Sequence, residues 1–178
     1  MKHSWLKLFS LSLILFSAGS LTSIQAANEL PELMEYKDTK LTLNGQGTRV
    51  MFFMKIYESG LYLNLANSNA EEIINQESAM GIRLDVISSM LTADAMKKAI
   101  NEGFVKSTKD NTQPISDQIS QFMATLHQAI EVGDVYEFIY LPESGVDVLR
   151  NSELLDTIAG LEFKKAFFGI WLSDNPVQ

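Results

Sequence analysis

Arg49-Val50-Met51-Phe52-Phe53-Met54-Lys55-Ile56-Tyr57 is the stretch on which the reading of this chain turns. Alternate side chains of a strand point to opposite faces of its sheet. Taken as part of one strand from Arg49 to Glu58, the stretch puts Val50, Phe52, Met54 and Ile56 on a face with no polar atom beyond a thioether, which predicts core. Arg49, Met51, Phe53, Lys55 and Tyr57 share the other face. A solvent face seldom carries Met and Phe, and a second core face seldom carries Arg and Lys. Two readings satisfy both halves. One is a covered but roomy face, a ligand cavity with apolar walls and few polar groups. The other is an edge strand half covered by helices, from which Arg49 and Lys55 snorkel to water.

Working outward, Thr39 to Leu43 alternates as a strand, and Asn44-Gly45-Gln46-Gly47 carries the Asn-Gly signal of a hairpin turn. Gly60 to Leu65 continues as a strand after a break near Ser59-Gly60. Asn69 caps a short helix over 70–76, and Met80 to Ile87 is a further strand. Thr92 is a good N-cap for a helix whose apolar stripe is Met96, Ala99, Ile100, Gly103 and Phe104. Pro114 starts a second helix with Ile115, Ile119, Phe122, Leu126 and Ile130 on its apolar face, and Gly133 ends it. Strands over Val135 to Leu141, Val146 to Arg150 and Leu154 to Ile158 follow. A last helix runs from Leu161 to Leu172. Short turns between neighbouring strands imply antiparallel pairing. Clustered helices favour α+β over α/β. No linker or repeat divides the chain, so residues 27–178 read as a single domain.

The first 26 residues read differently. Lys2 and Lys7 precede a short apolar run, Leu8 to Leu15, and Gln25-Ala26-Ala27 offers small residues for cleavage. That order describes a signal peptide over 1–26. The strongly apolar part falls short of the about 20 residues that span a bilayer. The expected product is exported, in the periplasm, with no stable membrane anchor. Removing Lys2 and Lys7 takes away no acid, leaving 12 cations against 22 acids and a formal charge of −10. Such a surface repels nucleic acid. The paired cations Lys97-Lys98 and Lys164-Lys165 read as solvated helix faces.

Several chemistries are unmarked. With no cysteine, thiol catalysis and thiolate metal sites drop out. His127, read as lying inside the second long helix, has no sequence partner that marks it as a base. There is no G-x-S-x-G elbow. Gly45-Gln46-Gly47 lacks the third glycine of a dinucleotide loop, with Val50 in its place and a strand after it. Asp85 is a carboxylate of interest, more simply an outward strand position. No cofactor and no metal ligand set is expected.

Leu43-Asn44-Gly45-Gln46-Gly47-Thr48-Arg49, then Phe53-Met54-Lys55-Ile56-Tyr57-Glu58-Ser59-Gly60-Leu61-Tyr62-Leu63, resembles the early strands of the chalcone isomerase superfamily. Gly145-Val146-Asp147-Val148, Thr157-Ile158-Ala159-Gly160-Leu161-Glu162-Phe163 and Phe167-Phe168-Gly169-Ile170-Trp171-Leu172 are similar to its closing stretch. The chain looks like the exported bacterial chalcone-isomerase-like proteins. The resemblance implies an open-faced β-sandwich: a large antiparallel sheet covered on one face by helices, with a ligand cleft between. Family members include isomerases that cyclise chalcones and proteins that bind fatty acids. In both, an early-strand arginine engages the anionic part of the ligand, and Arg49 matches it. Where the enzymes carry hydrogen-bonding threonine, tyrosine, asparagine and Thr or Ser, this chain has Tyr57, Met96, Gly103 and Ile170. Each lost donor typically costs about 3–4 kcal/mol of transition-state stabilisation.

The expectation is therefore a non-catalytic carrier of a small amphipathic anion such as a fatty acid. Arg49 would hold the carboxylate, assisted by Tyr57 and Lys55. Met51, Phe53, Met96, Ile100 and Phe104 would wall the tail. At about 0.8 kcal/mol per methylene and about 1.5–3 kcal/mol for the charged hydrogen bond, set against association costs of roughly 4–15 kcal/mol, affinity would be on the order of micromolar. The alternatives are a chalcone-isomerase-type lyase on an unsaturated ketone and a structural or partner-binding protein without ligand.

Overall fold

A computed structural model describes residues 30–173. The predicted leader, its cleavage site and the last five residues lie outside them. Among the described residues, seven strands form one antiparallel sheet in sequence order: β1 (Leu33–Tyr36), β2 (Thr39–Met51), β3 (Met54–Leu63), β4 (Met80–Val86), β5 (Val135–Leu141), β6 (Gly145–Arg150) and β7 (Glu153–Ile158). The helices are α1 (Ala70–Asn75), α2 (Ala93–Ser107), α3 (Ser116–Thr125) and α4 (Leu161–Leu172). They cover one face, so the expected α+β architecture of a sheet under helices stands.

Local chemistry accounts for most boundaries. The Asn69 side chain accepts the Glu72 amide at 3.2 Å to start α1, and Thr92 accepts the Ala95 amide at 3.1 Å to start α2. The main core joins the apolar stripe of α2, Phe122 of α3, and Phe163 and Phe167 of α4 to Ile82, Leu84, Phe138, Val146 and Val148 of the sheet. Its aromatic rings meet mostly tilted or edge to face, such as Phe138 and Phe167 at 5.0 Å.

The sheet is strongly curled. Neighbouring strands lie about 4.8 Å apart, so β1 and β6 in a flat sheet would stand about 24 Å apart. Instead the β1–β2 end folds over the face opposite the helices. Met34, Leu41, Tyr62, Ile139 and Leu149 form a second, smaller core there. Met34 presses so closely on β4 that a Cβ at Gly81 would lie 2.8 Å from its sulfur.

Several expectations need correction. Asn44–Gly47 is no turn but lies within β2, where the register slips between Leu43 and Gly45. The extra residue, Asn44, turns its side chain to the Asn67 backbone. The hairpin turn comes at the end of the same strand: Arg49 to Glu58 is not one strand but the end of β2, a Phe52–Phe53 turn and the start of β3. Val50, Phe52 and Met54 are consequently exposed rather than core. No break falls at Ser59-Gly60. A Cβ on Gly60 would lie within about 3 Å of Leu43, Tyr62 and Leu30, so glycine there serves close packing. The second long helix is a 3-10 turn over Gln113–Ile115 followed by α3, leaving His127 exposed beyond its end.

Two polar expectations also change. Asp85 is buried and paired with Arg83 at 2.7 Å, not outward in water. Lys164 is wholly buried, since its ammonium donates to the carbonyls of Ile73, Ile74 and Gln76 at 2.7–3.2 Å. These oxygens end α1 and have no helical partner of their own.

Candidate functional site

A cavity of about 340 Å³ opens between the β2–β4 part of the sheet and α2 with the end of α4. That volume lies in the range of small-molecule pockets. β2 supplies Arg49 and Met51, β3 Ile56 and Tyr57, and β4 Leu84. Met90 and Leu91 come from the segment before α2, while Ile170 and Trp171 close the site from α4. Met96 and Ile100 present the buried face of α2, and Lys98 and Glu102 stand on its exposed flank.

A β-bulge shapes the floor. Arg49 pairs with Tyr57, but Val50 pairs with Lys55, so Ile56 is the surplus residue. A bulge re-aims side chains. As a result Ile56 and Tyr57, neighbours in sequence, are both buried and both line the cavity. Strict alternation would have sent one of them away.

Of the eight residues singled out from sequence, Arg49, Tyr57, Met51, Met96 and Ile100 lie around this cavity. Three do not line it. Phe53 sits fully exposed at the hairpin turn. Lys55 points to water, 3.8 Å from Glu58. Phe104 is packed in the core against Phe122, Phe163 and Phe167, one helical turn beyond Ile100. Sequence reasoning missed Leu84, Leu91, Lys98 and Trp171. Lys98 is the second cation at this opening; two residues from Met96, it stands off the buried stripe of α2, so helical periodicity did not mark it.

Polar groups are few and distinct. Arg49 is half-buried and takes part in an interaction within the chain. A guanidinium carries five N–H donors. The Trp171 ring is fixed against Phe138 and Phe167. Its buried Nε1–H has no hydrogen-bond partner among the described residues. The same indole borders a second cavity of about 280 Å³, lined by the Gly45–Gly47 segment, Ser59, Leu61 and Ile82.

A family model described as chalcone isomerase-like matches residues 23–178. The chain belongs to the chalcone isomerase-like family. Among solved structures, its fold is similar to that in the crystal structure of a fatty-acid binding protein of Arabidopsis thaliana, at a TM-score of 0.60 and 14% identity, covering 84% of this chain and 86% of that one. At that identity the likeness is one of fold. A search of curated proteins finds no match. Of the positions where the chalcone isomerase resemblance put hydrogen-bonding side chains, Tyr57, Met96 and Ile170 line the cavity and Gly103 is buried within α2.

Proposed function

We propose that this chalcone isomerase-like chain is a non-catalytic binding protein for a small amphipathic anion, a fatty acid being the simplest example. The observation that carries the reading is the asymmetry of the cavity: a largely apolar wall with the cations Arg49 and Lys98 beside it. An apolar tail gains from burial against Met96, Ile100, Leu84 and Ile170. A carboxylate gains from charge-assisted hydrogen bonds to Arg49, with the Tyr57 hydroxyl near it and the unpartnered Trp171 N–H a further donor to a ligand oxygen. The shared fold of a protein that binds fatty acids supports the same reading. The leader-like order of residues 1–26 supports, as part of this proposal, a periplasmic location for the mature protein, which amino-terminal sequencing of the product would check at Ala27 or Asn28.

The direct test is detergent-free purification, organic extraction and mass spectrometry, followed by calorimetric titration with C12–C18 acids. A co-purifying acid, or affinity on the order of micromolar, is the expected result. No acid in the extract and no heat of binding would sink the proposal.

A further inference from the structure

The β2–β3 arm ends in five consecutive apolar residues. Val50, Met51, Phe52, Phe53 and Met54 are all exposed, Phe52 to 81% and Phe53 completely. Successive residues alternate between the faces of the ribbon, so both faces are apolar and neither is built for water. The turn is also unfavourable in itself. Phe52 and Phe53 hold φ of 48° and 68°, values for which two-residue hairpin turns ordinarily use Asn and Gly. Solubility and turn geometry are thus both given up at one place.

The arm projects. β4 pairs with β3 only as far as Tyr57↔Val86. Beyond it the β2–β3 ladder is two strands wide, with Val50↔Lys55 and then Met51↔Met54. Measured back from the rings, the order is methionines, then Lys55, then Arg49 with Tyr57. At roughly 3.3 Å per residue, the cations follow roughly 7–10 Å behind the turn. Interfacial amphipathic elements bury their apolar part about 5–10 Å into the headgroup and acyl boundary. That depth puts the phenyl rings among acyl chains and Lys55 and Arg49 level with the phosphates. Although the whole chain is acidic, the span 48–57 has two cations and no acid.

From this layering we propose that the tip, residues 50–54, docks on a lipid surface. A protein groove reads one face of a ribbon, whereas an arm apolar all round suits a fluid apolar medium. The insertion is shallow, because backbone groups at the outer edges of a two-stranded arm need water or headgroups as partners. Met51 and Arg49 belong both to this arm and to the cavity lining, so docking turns the cavity toward the bilayer. The inference goes beyond ligand binding and does not depend on it.

The chain has no cysteine, so Phe53→Cys and, as a remote control, Glu153→Cys each give a unique site for an environment-sensitive fluorophore on the full-length protein. With vesicles of phosphatidylethanolamine and phosphatidylglycerol at 3:1, the label at 53 is expected to brighten and shift to the blue while that at 153 stays unchanged. In co-sedimentation, Phe52→Asn combined with Phe53→Gly should reduce vesicle binding by about tenfold or more, since two rings leave the lipid. That variant relieves the turn, so it should unfold at a higher temperature than wild type and bind free fatty acid in solution as wild type does. Equal responses at 53 and 153, vesicle binding unchanged in the double variant, or tip-dependent self-association without vesicle binding would each overturn the proposal. Loss of fatty-acid binding with tip insertion intact would count against the ligand reading alone.

Discussion

The Lys37 ammonium, in the turn between β1 and β2, donates to the Asp147 carboxylate at 2.7 Å across 110 residues of chain. Asp147 is fully buried on β6, on the face away from the helices, and also accepts from the Thr157 hydroxyl. This contact clasps the curled end of the sheet. Burial by itself would raise the Asp147 carboxyl. Hydrogen bonds from Lys37, Thr157 and Tyr36 outweigh it and hold the group below the ordinary carboxylate range.

Asp147→Ala should therefore cost about 1–3 kcal/mol, because it strips an acceptor from buried donors. The pH dependence follows from the sign. A carboxyl whose folded pKa is lowered contributes stability above its unfolded value and loses it as pH falls through the folded one. Urea midpoints should drop below about pH 4 in wild type, and this drop should be smaller in the variant. Asp134, held low by the Glu131 amide, Arg150 and Asn151 against the opposing effect of burial, adds to the residual drop. Equal acid profiles would show that the clasp is idle.

Lys164 predicts the opposite limb. Burial, then the neighbouring Lys165 charge, pushes its ammonium down to about 8. Between that value and its ordinary 10.5 the unfolded chain holds a proton that the folded chain has released, so stability rises with pH in this window. Above about pH 10 the buried Tyr62 hydroxyl, raised to about 12, reverses the slope, since only the unfolded chain ionises it there. Urea midpoints between pH 7 and 11 should climb and then turn over. Lys164→Met should abolish the climb and keep the fall.

Ligand affinity should divide along the cavity's two chemistries. Arg49→Ala is expected to weaken binding of a C16 acid about 10- to 100-fold, the value of a charge-assisted hydrogen bond of about 1.5–3 kcal/mol. Lys98→Ala, on the exposed flank, should cost less and mostly at low salt. Binding of the corresponding uncharged alcohol should respond weakly to both. Calorimetry with the acid and the alcohol reads this directly, and equal losses for the two ligands would remove the carboxylate from the argument.

Trp171→Phe isolates the orphaned donor. Losing one hydrogen bond of about 0.5–1.5 kcal/mol should reduce affinity for an oxygen-bearing ligand about 2- to 10-fold. The apo protein should lose little stability, because the N–H removed had no partner among the described residues. A marked fall in thermal stability with unchanged affinity would make the indole simple packing.

α1, α2, α4 and the later strands were legible because their signals are local, whereas α3 stops at Thr125, short of the Leu126, Ile130 and Gly133 expected to extend and end it. Thr92 and Asn69 cap what they were expected to cap, and the apolar stripe of α2 faces the sheet. The early hairpin was misread for a physical reason. Asn44-Gly45 has turn chemistry but is spent on a bulge, while the real turn uses two phenylalanines that no turn rule selects. With the turn misplaced, parity along 49–57 failed, which is why Phe53 was assigned to the cavity. Phe104 was misassigned because helical periodicity finds a buried stripe but not the point along it where packing closes. The curl was invisible, since Lys37 and Asp147 meet only through tertiary structure.

The surplus residue at Ile56 has a further consequence. Deleting it would restore even parity to the ladder and swing the phenol of Tyr57 relative to the guanidinium of Arg49, though neither residue is itself altered. Under the proposed function, ligand preference would therefore be set partly by arithmetic, the number of residues between two strand partners. Relatives that differ by one residue there would be expected to hold chemically different guests within the same outer shape.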